Sequence, residues 1–263
     1  MRTAFKTGLI VVLCLALWPA IAGAAPPDPK GKLVYEDDFS DPTKSHLEDN
    51  LTATDYSRGF HAPGVYHLKD LKGNDTRWSL FPDKSYGEFT FQADVWDNSD
   101  DVTTGDISEG LAFRATDKSH FYAVLVDPRK GKYSVVKWDG GKSSDLVAWA
   151  DSALVKRKNE VNQLRVDGEG SAFTIYLNGD KLADFSDSSF TKGQIGFIAR
   201  NVDAPNNHIH FDNPKIWTTE AAETTPGGLP NTGQAEDGVL LVLAVAVALM
   251  LLGLGARLRR IAN

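Results

Sequence analysis

Between Lys32 and Trp217 the apolar positions recur every second residue, and this is the strongest signal in the chain. In "EFTFQADVW", Phe89, Phe91, Ala93 and Val95 share one face, while Thr90, Gln92, Asp94 and Trp96 take the other. "LAFRA" alternates in the same way, with Leu111, Phe113 and Ala115 inward and Arg114 outward, and "FTIYLNG" places Phe173, Ile175 and Leu177 together. This is the pattern of antiparallel strands with one face buried. Turn chemistry punctuates it at Asp127-Pro128, Asp139-Gly140-Gly141, Asp167-Gly168 and Asn178-Gly179. The Asn-Gly pair predicts a tight hairpin, whose two central residues need positive φ. No long amphipathic helix is evident, and the best helical candidate, "SSDLVAWADSALVKRKNE", reads as strand and loop. The expectation is an all-β fold, a two-sheet antiparallel jelly-roll sandwich over residues 32–217.

The ends have a different pattern. Arg2 and Lys6, an apolar run from Gly8 to Trp18 and the small residues Ala22-Gly23-Ala24 have the layout of a signal peptide over residues 1–24, followed by a linker over 25–31. Its apolar run holds Cys14, the chain's only cysteine, so the processed chain would have neither disulfides nor thiolate chemistry. At the other end, residues 218–228 read as a flexible linker, and residues 239–256 are apolar and uncharged, followed by Arg257, Arg259 and Arg260. Such a run, at about 1.5 Å per residue, is just long enough for a transmembrane helix, with 257–263 as its basic cytoplasmic tail.

Between the linker and this run lies Leu229-Pro230-Asn231-Thr232-Gly233, which resembles the Leu-Pro-x-Thr-Gly signal of sortase substrates. Pro230 keeps the peptide extended, and Gly233 leaves room beside the bond to be cut. The resemblance implies a sortase-type transpeptidase attacking the Thr232 carbonyl, an envelope amine as acceptor and a bacterial-type extracellular surface location. Without Arg2, Lys6, Arg257, Arg259, Arg260, Glu236 and Asp237, residues 25–232 keep 23 basic against 33 acidic side chains, a charge of −10. Bulk charge of this sign argues against a nucleic-acid partner.

The strand segments "LVYEDDFSDP", "YGEFTFQADV", "EGLAFRATDKSHFYAVLVDPRKGKYSVVKWDGG" and "GQIGFIARNVDAPNNHIHFDNPKIW" follow the order seen in concanavalin A-like lectin and glucanase sandwiches, laminin G-like domains among them. The chain also resembles bacterial domains related to keto-disaccharide hydrolases. The resemblance implies the fold more firmly than any activity.

Candidate chemistry is sparse. Glucanases of this fold carry a Glu-x-Asp-x-(x-)Glu strand that sets two carboxylates close together. The nearest match here, Glu36, Asp38 and Asp41, ends in Asp at a strand exit and reads as a solvated strand end. Asp97, Asp100, Asp101 and Asp106 could form a calcium loop, although Val102 and Ser108 break the EF-hand pattern. "HIHFD" sets His208, His210 and Asp212 on one side of a strand, a spacing open to zinc. Alternation alone predicts the same pattern as a polar outer face, and no third histidine is fixed nearby in sequence. Outward residues with the chemistry to stack on sugar rings or grip hydroxyls are Trp96, Arg114, Tyr122, Lys137, Trp138 and Arg200. The leading expectation is therefore a surface-anchored, non-catalytic module binding a glycan or another extracellular ligand. A keto-disaccharide-type hydrolase and a structural or protein-binding spacer are the alternatives.

Overall fold

The computed structural model describes residues 25–51, 56–61, 64–81, 84–99, 105–220, 223–224 and 232–234. The expected signal peptide, transmembrane run and basic tail, together with Asp100, Asp101, Leu229, Pro230 and Asn231, lie outside the described residues. The described residues contain no helix and form two antiparallel sheets facing each other. The first runs β13 (Asp180–Ser186), β12 (Ala172–Leu177), β11 (Asn162–Glu169), β6 (Phe89–Asp97), β15 (Asn207–Thr218), β3 (Val65–Asp70) and β2 (Tyr56–His61), with β1 (Lys32–Glu36) also pairing with β15. The second runs β10 (Lys142–Asp151), β9 (Lys132–Asp139), β8 (His120–Asp127), β7 (Asp106–Asp117), β14 (Gln194–Val202), β4 (Thr76–Leu80) and β17 (Thr232–Gln234). A short pair, β5 (Lys84–Ser85) and β16 (Glu223–Thr224), stands apart.

The two-residue alternation becomes the layer between the sheets. Phe89, Phe91, Ala93 and Val95 of β6 meet Leu111, Phe113, Val124 and Val126 of the opposite sheet in one buried cluster. Phe197 and Phe211 stack across the gap at 4.5 Å between ring centroids. Burial of this apolar surface is the main driving force for the fold. The Asn-Gly hairpin forms between β12 and β13 as expected, with φ of 54° at Asn178 and 90° at Gly179. The best helical candidate of the sequence instead supplies β10 and the turns after it.

Arg114 departs from the alternation. The register between β7 and β8 shifts after Phe113, that between β7 and β14 shifts between Ala112 and Ala115, and Arg114 itself takes a φ of 51°. A bulge inserts a residue into one strand and re-aims the side chains around it. Arg114, expected on the outer face, therefore lies inside: it is buried, donates from Nη1 to Phe190 O at 2.9 Å and from Nη2 to Gly87 O at 2.8 Å, and packs over the Phe173 ring at 4.6 Å.

The outer face of the second sheet is also apolar. Trp78, Leu80, Ala112, Ala115, Phe121, Ala123, Leu125, Val136, Trp138 and Ile198 form a second buried cluster, bordered by Trp149. Its members all belong to β4, β7, β8, β9 and β14, and Trp149 to β10. Strands buried on both faces read as nearly continuous apolar runs, as "HFYAVLVD" does.

Candidate metal centre

The outer face of the first sheet carries the most reactive geometry among the described residues. His61 ends β2, His67 sits in the middle of β3, and His208 and His210 alternate with the buried Ile209 and Phe211 on β15. Register then does what sequence spacing cannot. β15 pairs with β3 so that His210 faces His67, and β3 pairs with β2 so that His67 faces Gly59. On this face the rings of His61 and His67 approach to 4.2 Å between centroids.

His61, His67 and His208 each present a ring nitrogen such that all three lie within 4.8 Å of one another. His208 Nε2 is 3.1 Å from His61 Nε2 and 3.1 Å from His210 Nε2. One ring nitrogen serves as donor or as acceptor, not both, so hydrogen bonding satisfies these two contacts poorly. Imidazoles bound to a single ion at roughly 2.0–2.1 Å stand about 3 Å apart. His67 Nε2 meets Ser57 Oγ at 3.2 Å, while its Nδ1 is buried with no hydrogen-bond partner, the kind of orphaned atom that a cation would satisfy.

The electrostatics point the same way. Burial, then the neighbouring His61, His208 and His210, hold His67 down to about 3; burial, then His208 and His61, do the same to His210. Both rings are therefore neutral at physiological pH, the form in which imidazole ligates a metal. The donor set of imidazoles with an open outer side fits zinc or another borderline divalent ion and is a poor match for calcium.

Around the cluster, the Trp96 and His210 rings meet nearly at right angles, 5.1 Å between centroids. Asp212 follows His210 on the same face of β15, opposite Asp94 of β6. Burial pushes the Asp212 carboxyl up to about 6, and Asp94, Asp38 and Asp37 add to the rise. Asn213 donates to Asp94 at 3.0 Å and leads into an open groove of about 460 Å³ lined by Tyr35, Glu36, Asp37, Asp38, Lys44 and Lys215.

The residues expected from sequence to form a ligand face do not converge. Trp96 alone adjoins the histidines. Tyr122, expected outward, is buried between the sheets and donates to Asp187, which also receives Lys137 Nζ at 3.1 Å. Trp138 does point away from the inter-sheet core, but it is fully buried and stacked on Phe121 at 4.7 Å. Arg200 lines a separate groove with Trp149, Lys130, Lys132, Asp106 and Asp127. Of the expected calcium ligands, Asp97 is buried and takes Arg129 Nε at 2.7 Å and Ser99 N at 2.8 Å, and Asp106 pairs with Lys130. Asp97 and Asp106 thus each have a cationic partner already. His61 and His67 are the residues that sequence reasoning misses; the pairing of β2 and β3 with β15 brings them to His208 from about 140 positions away.

Residues 44–217 match the family described as the 3-keto-alpha-glucoside-1,2-lyase-like domain. No curated protein matches the chain in sequence. Among solved structures, a Bacillus subtilis protein of unknown function with a galectin-like fold aligns with a TM-score of 0.53 at 12% identity, covering 74% of this chain and 98% of that one. The Bacillus licheniformis beta-glucanase aligns with a TM-score of 0.50 at 10% identity, covering 72% of this chain and 99% of that one. At these identities the likeness is one of fold, and it supports the concanavalin A-like sandwich.

Proposed function

The chain belongs to the 3-keto-alpha-glucoside-1,2-lyase-like domain family, and from that premise we propose that it acts on oxidised glycosides at a divalent metal held by His61, His67 and His208. The observation that carries the reading is the convergence of three imidazole nitrogens within 4.8 Å on an open sheet face. Elimination from a 3-keto glycoside breaks the C2–H bond, forms a C1–C2 double bond and expels the glycosidic oxygen from C1 with the bonding electrons, after which that oxygen takes up a proton. The C2 proton is the acidic one because the ketone at C3 stands beside it. A cation bound at the histidines would supply Lewis acidity to that carbonyl oxygen.

The protein's own groups divide the remaining work. Asp212, on the same face and raised to about 6, is our assignment for the base that receives the C2 proton. Trp96 offers an apolar wall beside His210, suited to the carbon face of a sugar ring. The groove from Asn213 to Lys44 gives room for the rest of the glycoside.

The test begins with metal content. After dialysis against zinc and then metal-free buffer, the chain is expected to retain about one equivalent, consistent with a single cluster, and H67A to retain none. Incubated with a 3-keto-α-glucoside, the metal-loaded chain should release the aglycone, and chelation should stop it. No retained metal and no turnover would sink the proposal. Binding of the sugar without turnover, with or without metal, would instead favour the second reading, a non-catalytic glycan-binding module; the sandwich fold and the lack of the glucanase carboxylate pair support that alternative.

We also propose a cell-surface location. Its support is sequence alone: the leader-like first 24 residues, Leu229 to Gly233, the apolar run from Val239 to Ala256 and the arginines after it. Sortase processing at Thr232 would be read by mass spectrometry of envelope-linked peptides.

A further inference from the structure

Along the outer side of β15 the row of polar residues continues past the histidines. His208, His210 and Asp212 alternate with the buried Ile209 and Phe211, and strict alternation would next turn Lys215 inward and Ile216 outward. The structure does the reverse. The register of β15 against β6 shifts between Asp212 and Lys215, Asn213 takes a φ of 50°, and Ile216 returns to the core at 0% exposure. The extra residue of this bulge keeps Lys215 on the side of Asp212. There Lys215 stands in register with Gln92 of β6 and Glu36 of β1 and lines the open groove beside Asn213.

We propose that Lys215 delivers the proton taken up by the glycosidic oxygen as it leaves C1. The assignment rests on the lyase reading of the site and adds the acid that the leaving group of that reaction needs. Asp212 takes the C2 proton, the C2–H electron pair becomes the C1–C2 double bond, the C1–O pair departs with the oxygen, and Lys215 Nζ–H protonates that oxygen. Proton exchange with water in the open groove then restores both side chains.

The order of groups along β15 follows the order of reacting atoms along the sugar. His208 stands on the side of the C3 carbonyl, Asp212 serves C2–H, and Lys215 comes next, as C1–O does. An α-glucoside presents C2–H and C1–O on opposite faces of its ring, so base and acid must stand apart with the ring edge between them. Three residues of strand at about 3.3 Å each hold the two Cα atoms no more than roughly 10 Å apart, a gap that the long stem of a lysine can narrow. The groove's other donors are engaged. Tyr35 Oη donates to Asp37 at 3.2 Å, and burial, then Asp37, raises its pKa above that of an ordinary phenol. Lys44 pairs with Asp41 at 3.2 Å within its own turn. Asn213 donates to Asp94 at 3.0 Å, and its amide has no proton to give up. Lys215 meets Glu36 at a loose 3.7 Å, with both side chains open to solvent; a pair of that kind is weak and leaves the ammonium able to turn to a ligand.

The test compares the zinc-loaded chain with its Lys215→Met and Lys215→Arg variants on the methyl and the 4-nitrophenyl 3-keto-α-glucosides. Methoxide leaves poorly without a proton, whereas 4-nitrophenolate leaves unaided. K215M should lose about 10²–10⁴-fold on the methyl glycoside and less than about tenfold on the nitrophenyl one. K215R keeps the charge but holds its proton, and should behave as K215M does. Both variants should retain zinc as the unaltered chain does; loss of zinc would make Lys215 a structural residue and overturn the assignment. Equal losses on the two substrates, full activity of K215M on the methyl glycoside, or rescue by arginine would overturn it while the lyase reading stood. If the unaltered chain released neither methanol nor nitrophenolate, the lyase reading itself would fall, and the role of Lys215 with it.

Discussion

Two polar clusters of this sandwich contrast in how their charges are met. On the outer face of the first sheet, His61, His67, His208 and His210 crowd together with like partners and an orphaned buried nitrogen. In the other, Asp97, Glu109 and Asp127 are buried near one another, but Arg129 holds Asp97 at 2.7 Å and Asp127 Oδ1 accepts the backbone N–H groups of Arg129 and Lys130. Glu109, whose two oxygens have no hydrogen-bond partner, is pushed well above its usual range by burial and by Asp97 and Asp127. Asp97 and Asp127 are thus met internally, by an arginine and by backbone donors, while burial and these two neighbours favour the neutral form of Glu109. In the histidine cluster the buried Nδ1 of His67 has no hydrogen-bond partner, and an external cation is the simplest group to satisfy it.

The largest effect expected from breaking this contrast is on metal binding. H67A or H208A should weaken zinc affinity by more than the roughly 10–100-fold that losing an outer partner of a ligand costs; titration calorimetry measures it, with D97N as the unaffected control. Next comes R114A, which leaves two buried carbonyls without a donor and should lower stability by about 3 kcal/mol in denaturant unfolding while sparing zinc affinity. If R114A instead removed metal or sugar binding and left stability intact, the interior placement of this arginine would be refuted.

Acidification should then separate the two clusters. His67 and His210 are held to about 3 when folded, against 6.5 for an ordinary histidine, so the unfolded chain takes up their protons first. Their contribution to stability is present above pH 6.5 and is lost as pH falls from there toward 3. Glu109 acts oppositely: with its folded value raised, its contribution is whole below about 4.5 and is lost as pH rises through the raised value. Melting curves at pH 5 and pH 8 should therefore show H67Q flattening the acid side and E109Q raising stability on the alkaline side, each by about 1 kcal/mol or more. The smallest effect is expected from K130A. Its exposed pair with Asp106 should change stability by under about 0.5 kcal/mol, as thermal unfolding would show.

Much of the fold is legible in the sequence because a strand repeats every two residues and turns need particular residues. β6, β12 and the Asn178-Gly179 hairpin appear where the pattern predicts them. The candidate site is less legible for three separate physical reasons. At Arg114 a bulge interrupts the alternation, turning an outward arginine into an interior one. At Trp138 the alternation gives the right facing, but it tells which side a residue takes and not whether that side meets water. For the histidines, "HIHFD" is visible but half a site; the other half lies at His61 and His67, in strands whose partners no local pattern announces.

The sequence by itself determined the two-faced strands, their turns, the acidic balance and the distinct chemistry of the two ends, because each is set by neighbours within a few residues along the chain. Only the tertiary structure decided which histidines meet, which carboxylates find a cation and where a bulge turns an arginine inward. Those outcomes depend on register between strands far apart in sequence, where a shift of one residue sends a side chain to the opposite face.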